Sequence, residues 1–198
     1  LILYYLTIGD TSTVRDLIRN ATNVDPAGDI RQTYLRYAAQ YALLLGKPAL
    51  SKYYASRALA LYGDATNWKV GRCQYLLGNY TSAEKIYQNE IEQNPEDKWL
   101  LGELGVIYAR QGKLEKANGI VSKLESIKEP FDYGETPYFQ GRIKANMGEP
   151  ANALLYLRQA IEEGIKFGKG TTFQHDPDLI VLYSEPEYIR LLGSNRKH

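Results

Sequence analysis

The sequence predicts an all-α protein, an α–α superhelix (solenoid) of about five helix pairs with a short C-terminal helical cap. Glycines recur at fixed spacing, since Gly71 and Gly78 return 34 residues later as Gly105 and Gly112. A small residue follows these turn glycines by five positions, as Ala83 follows Gly78. Apolar residues on both sides of the turns fall three or four apart, which is the spacing of amphipathic helices.

Each repeat unit is predicted to be a helix, a short turn and a second helix. The predicted pairs cover 31–45 with 48–61, 64–77 with 81–94, 98–111 with 115–127 and 135–147 with 151–165. A truncated first pair covers 1–8 and 11–23 and ends at Asp25-Pro26. The repeats then occupy 1–168, divided into 1–29 (partial), 30–63, 64–97, 98–133 and 134–168.

Small residues mark the places where the two helices of a pair meet. Gly71 on one helix and Ala83 on the other allow a close approach of the two backbones. Tyr87, one turn further on, fills the space where the helices diverge. Pro95 cannot continue a helix and directs the chain into the next unit.

Residues 169–198 depart from the repeat and are predicted to cap it. Asp176-Pro177 and Glu185-Pro186 each place an acidic residue before a proline, which is typical of a helix start. The last unit of a solenoid exposes its apolar face unless a polar outer segment covers it. We therefore expect 171–193 to cover the helix predicted at 151–165.

These features resemble the tetratricopeptide repeat, a helix–turn–helix unit of about 34 residues. The matching positions in the best-preserved units are Val70-Gly71, Gly78, Ala83, Tyr87 and Pro95, then Leu104-Gly105, Tyr108, Gly112 and Ala117. A Sel1-like or other α-solenoid repeat is the alternative family. The resemblance implies a non-catalytic scaffold that binds a protein or an extended peptide in a concave groove.

The resemblance also implies which residues line that groove, because the first helix of each unit faces it in this family. The residues at the inward positions are Arg36, Tyr37, Gln40, Trp68, Lys69, Arg72, Tyr75, Trp99, Glu103, Arg110, Tyr138, Phe139 and Arg142. Aromatic and Arg side chains dominate binding hot spots, and arginines favour a partner with acidic residues or a free carboxylate. The positions at which some family members clamp a chaperone's C-terminal tail hold Trp68, Arg72 and Glu103, which disfavours that ligand.

Composition limits the other functions. Lys plus Arg number 24 against 23 Asp plus Glu, so a nucleic acid is not expected as the partner. No apolar run approaches the about 20 residues of a membrane span. The single cysteine, Cys73, fits a reducing compartment, although exported proteins can also be poor in cysteine, so localisation stays open. The chain begins without Met and is interpreted as a piece of a longer protein.

Residues with catalytic potential are few. His175 stands beside Asp176 and Asp178, and this cluster is interpreted as turn and capping residues, with a metal site as the alternative. Cys73 is interpreted as a small packing residue. We find no phosphate loop, zinc spacing or nucleophile elbow. The sequence thus predicts no enzyme and no cofactor, and the second functional hypothesis is a regulatory or assembly module that acts by intramolecular contact or self-association.

Overall fold

The structure, a computed structural model, describes residues 1–24, 29–127, 131–165 and 173–194. These residues form helices and no β-strand, which confirms the predicted all-α class. The α-helices are α1 (Ile2–Thr7), α2 (Thr11–Val24), α3 (Asp29–Leu44), α4 (Pro48–Tyr62), α5 (Trp68–Leu77), α6 (Tyr80–Gln93), α7 (Lys98–Arg110), α8 (Leu114–Ser126), α9 (Glu135–Asn146), α10 (Pro150–Glu162) and α11 (Pro186–Ser194). Phe173–His175 and Pro177–Leu182 are 3₁₀ helices.

The helix ends follow local chemistry. Helix α5 begins at Trp68, four residues later than predicted, because the Asn67 side chain accepts hydrogen bonds from the amides of Lys69 and Val70 and so caps the helix. Gly78 ends α5 with a φ of 86°, a conformation that favours glycine. The predicted end of the first pair at Asp25-Pro26 lies outside the described residues.

The chain divides into two compact units, Leu1–Ile86 (unit 1) and Tyr87–His198 (unit 2). In unit 1, α1 packs on α2 and α3, α3 packs on α4 and α5, and α4 packs on α5. Its buried core includes Leu6, Val14, Leu35, Tyr54 and Cys73. The first helix of one pair thus contacts both its own partner and the first helix of the next pair.

Unit 2 repeats this arrangement and adds the end of the chain. Helix α7 packs on α8 and α9, and α9 packs on α10. The 3₁₀ helix Pro177–Leu182 packs on α9, whereas α11 packs on α10. The C-terminal segment (173–194) therefore contacts both helices of the last pair, α9 and α10. The sequence predicted that this segment would cover only the second of them. The division of the chain into repeat units stays a prediction.

Small residues do bring helices of unit 2 together. A Cβ on Gly141 would lie 3.2 Å from the Ala153 carbonyl oxygen, so α9 and α10 meet at the glycine and alanine of their pair. Between α7 and α9, Gly102 accommodates the ring of Phe139, whose Cγ would lie 2.7 Å from a Cβ at that glycine. Within the described residues, no helix is long and apolar enough to cross a membrane.

Gly102→Ala should lower the free energy of unfolding by about 1–3 kcal/mol, because the added methyl group overpacks the contact with Phe139. The matched control is Gly119→Ala on α8, where a Cβ meets no atom within 4 Å. There the helix propensity of Ala should raise stability by up to about 1 kcal/mol. Urea titration measures both changes, and the same sign for both would contradict the close approach of α7 to α9.

Candidate functional site

The predicted groove residues fall on four helices. Helices α3 and α5 carry those of unit 1, and α7 and α9 carry those of unit 2. The two sets have different surroundings, so each is described within its own unit.

In unit 1, Arg36 is a buried cation held by aromatic rings. Its guanidinium carbon lies 4.6 Å from the ring centroid of Tyr37 and 5.1 Å from that of Trp68. Arg36 is only 8% exposed, and its Nε has no hydrogen-bond partner. Among the described residues, no carboxylate forms an ion pair with it. Cation–π contacts of this kind contribute about 0.5–2 kcal/mol each, much less than burying a charge costs.

The rings around Arg36 reach the surface. Tyr37, Trp68 and Lys69 are partly exposed, and the Lys69 ammonium lies 6.0 Å from the Trp68 ring. Tyr37 stacks on Tyr41 with their centroids 6.1 Å apart. We call Arg36, Tyr37, Tyr41, Trp68 and Lys69 the unit-1 face. It combines positive charge with aromatic surface that is accessible to a ligand.

The other predicted groove residues of unit 1 are interior. Gln40, Arg72 and Tyr75 are buried, and the Arg72 guanidinium carbon lies 4.9 Å from the Tyr75 ring. They are therefore not part of the surface that a ligand could contact.

In unit 2, Arg142 is a buried cation surrounded by carboxylates. Its Nη2 donates to Glu103 Oε1 at 2.8 Å and to Asp178 Oδ2 at 2.6 Å. Its Nε lies 2.8 Å from Asp176 Oδ2. Burial alone would lower the pKa of Arg142, but Asp176, Glu103 and Asp178 raise it well above its ordinary value. The guanidinium is therefore permanently charged and is only 3% exposed.

Further hydrogen bonds hold the two aspartates in place. The Tyr138 hydroxyl donates to Asp176 Oδ2 at 2.6 Å, and the Asp178 amide donates to Asp176 Oδ1 at 2.9 Å. Asn146 Nδ2 donates to the Asp178 carbonyl oxygen at 2.9 Å. The Tyr138 ring also meets Phe173 edge-on, with centroids 5.3 Å apart. The C-terminal segment is thus bound to α9 by charge, hydrogen bonds and an aromatic contact.

Most of the predicted groove residues of unit 2 are interior. Glu103, Tyr138, Phe139 and Arg142 are buried, so in this conformation they are not available to a ligand. Trp99 is partly exposed and packs 6.0 Å from the Tyr87 ring. Of the groove residues predicted on α7 and α9, only Arg110 is classed as exposed rather than buried or partly exposed.

Sequence reasoning predicted one role of Asp176 and missed another. Asp176 and Asp178 were interpreted as turn and capping residues, with a metal site as the alternative, and the Asp176 side chain does cap the 3₁₀ helix Pro177–Leu182 by accepting from the Asp178 amide. The sequence did not predict that both aspartates are counter-ions of Arg142. The only sequence signal was two acidic residues flanking a proline, and it does not indicate a partner 36 residues away. Burial lowers the pKa of the neighbouring His175. Within the described residues, no group of three or more His, Cys, Asp or Glu side chains could hold a metal ion.

Comparison with known proteins leaves the family open. No protein-family model matches the chain, and no curated protein matches it. The resemblance to tetratricopeptide repeats therefore stays a prediction that depends on the residues themselves.

Arg142→Met should lower the free energy of unfolding by about 3–5 kcal/mol, because it leaves buried carboxylates without their cation. Arg158→Met is the matched control, since Arg158 forms an ion pair with Glu187 at the surface. Its loss should not exceed about 1 kcal/mol. Guanidinium titration compares the two variants, and equally small losses would show that Arg142 is not essential to the contact.

Cys73 should behave as an inert packing residue. It is fully buried, and burial raises the pKa of its thiol to about 11. Because the thiolate is the reactive form, labelling by a thiol reagent at pH 8 should occur only after unfolding. Rapid labelling of the folded protein would contradict this placement, and labelling in urea provides the fully reactive reference.

Proposed function

We propose that this protein is a non-catalytic interaction module of the tetratricopeptide-repeat type, whose unit-1 face binds an acidic segment of a protein or peptide. The observation that carries the proposal is Arg36, a buried cation set between Tyr37 and Trp68 without a carboxylate from the described residues. The proposed binding site lies on α3 and α5, whereas the sequence predicted a groove along the whole chain.

The chemistry of Arg36 selects for an anion. A buried charge without a counter-ion is unfavourable, and a ligand carboxylate would supply the missing charge. A guanidinium binds a carboxylate through two parallel hydrogen bonds, and the Nε of Arg36 has no such bond in the free protein. Tyr37, Tyr41 and Trp68 add apolar contact area for the residues beside that carboxylate.

Unit 2 supplies an internal precedent for this kind of ligand. There, Asp176 and Asp178 of the chain's own C-terminal segment bind Arg142, and Tyr138 and Phe173 add the aromatic contact. A first-helix arginine accompanied by aromatic residues thus accepts an acidic, proline-containing segment. We expect the unit-1 face to accept a similar sequence from a partner.

A superhelical stack of helix pairs is part of the same proposal. It is supported by the recurring contacts, since α1 packs on α3, α3 on α5, and α7 on α9. A stack of this kind presents its first helices along one surface.

The second candidate is a regulatory module that acts by intramolecular contact. The observation that favours it is the C-terminal segment itself, which occupies residues predicted for the groove. If the protein is such a regulatory module, a partner binds α9 only after it displaces residues 173–182 of the C-terminal segment.

The proposal is tested with a peptide of sequence FQHDPDLIVL, residues 173–182 of the chain, blocked at both ends. In a Trp99→Phe background, Trp68 is the only tryptophan and reports on the unit-1 face. The peptide should change Trp68 fluorescence with saturation, and binding should weaken as salt rises. A peptide with both aspartates replaced by asparagine should bind at least about tenfold more weakly.

Arg36→Met separates a binding role from a structural one. Binding should fall at least about tenfold, while stability should stay the same or rise, because a buried charge is replaced by an apolar side chain. Lys85→Gln, which removes the charge of an exposed side chain on α6, should leave binding unchanged. Undiminished binding by Arg36→Met, or equal binding of the two peptides, would refute the unit-1 face as an acidic-segment site.

A further inference from the structure

Unit 1 also contains a pocket lined by arginines that the proposed function does not use. It lies between α2, α3 and α4 and has a volume of about 290 Å³. Four arginines and two tyrosines supply its polar lining, namely Arg15, Arg19, Arg31, Arg57, Tyr53 and Tyr54. None of the described residues that line it carries a carboxylate. The volume lies at the low end of the range of about 300–1,000 Å³ for small-molecule sites, so the pocket suits a small charged group.

The positions of these residues along their helices explain why they converge. Arg15 and Arg19 are four residues apart on α2, and Tyr53 and Arg57 are four apart on α4, so each pair shares one side of its helix. On α3, Arg31 is five residues before Arg36, which corresponds to about 140° around the helix. The pocket and the unit-1 face therefore lie on different sides of α3.

Most of the positive charge of this pocket has no counter-ion in the described part of the chain. Arg19 pairs with Asp16 at 2.6 Å on the surface. Arg57 donates from Nη1 to the Tyr53 hydroxyl at 3.3 Å, which leaves its charge uncompensated. Among the described residues, Arg15, Arg31 and Arg57 form no ion pair with a carboxylate. The Nε of Arg31 is buried and has no hydrogen-bond partner.

We propose that this pocket binds a phosphate group. Three guanidinium groups that pair with no carboxylate of the described residues match a dianion better than a single carboxylate, which carries one charge. The planar guanidinium fork binds two phosphate oxygens at once, and tyrosine hydroxyls can donate to a third. The apolar part of the lining, Ile18 and Leu35, excludes water from one side of the site and strengthens these contacts.

Isothermal titration calorimetry at constant ionic strength tests this inference with two probes. One is inorganic pyrophosphate, and the other is a blocked tripeptide with a central phosphoserine. At least one should bind, and the same tripeptide with unmodified serine should not. Tighter binding of pyrophosphate would identify a free phosphorylated small molecule as the source of the phosphate, and tighter binding of the tripeptide would identify a phosphorylated protein side chain.

Variants locate the site. Arg57→Gln should weaken the better probe at least tenfold, and Arg31→Lys should weaken it severalfold because the charge remains but the fork is lost. Arg190→Gln removes the same charge from an exposed side chain on α11 and should have no effect. Arg36→Met should also have no effect, so failure of the unit-1 face and failure of this pocket are separate results. Absence of binding by both probes, or equal effects of Arg57→Gln and Arg190→Gln, would overturn the proposal.

Discussion

The ion cluster of Arg142 is the interaction on which unit 2 depends. A guanidinium can leave water only if counter-charges and hydrogen bonds replace its hydration. Glu103 on α7 and the aspartates of the C-terminal segment provide both, at distances of 2.6–2.8 Å. One side chain of α9 thereby connects α7 to residues 176 and 178. The last part of the chain is consequently an integral component of the unit, and it contacts residues that the sequence predicted for the groove.

Unit 1 also buries a guanidinium, but it surrounds that group with aromatic rings instead of carboxylates. Its buried Arg36 lies between Tyr37 and Trp68, and the described part of the chain brings no carboxylate to it. Aromatic faces compensate a cation only partly. A buried charge without a full set of counter-charges and hydrogen bonds is expected at a functional site. Residues at such sites are commonly less favourable for folding stability than the alternatives the fold could hold. The contrast between Arg36 and Arg142 is therefore the physical basis for the proposal that unit 1 binds a ligand.

The sequence predicted helices well and side-chain environments only in part. Glycine and alanine spacing located the helix pairs, because turn and close-contact positions restrict residue size, as at Gly141 and Ala153. The start of α5 was missed because capping by Asn67 depends on a single side chain. The burial of Arg142 could not be predicted, since it requires Glu103 of the preceding pair together with two aspartates, 34 and 36 residues away, from the segment that departs from the repeat. The arginine pocket likewise arises from three helices whose relative placement no periodicity specifies.

The most direct measurement is a ¹H–¹⁵N correlation spectrum that includes the arginine Nε–H and tryptophan Nε1–H signals, recorded while the FQHDPDLIVL peptide is titrated into the protein. If the unit-1 face binds acidic segments, the Arg36 Nε–H and Trp68 indole signals shift with saturation. The Arg142 Nε–H signal then stays unchanged, because its carboxylates are already in place. Saturable shifts confined to Arg142 and its neighbours, with Arg36 unaffected, would contradict the assignment and show that the peptide displaces the chain's own segment instead.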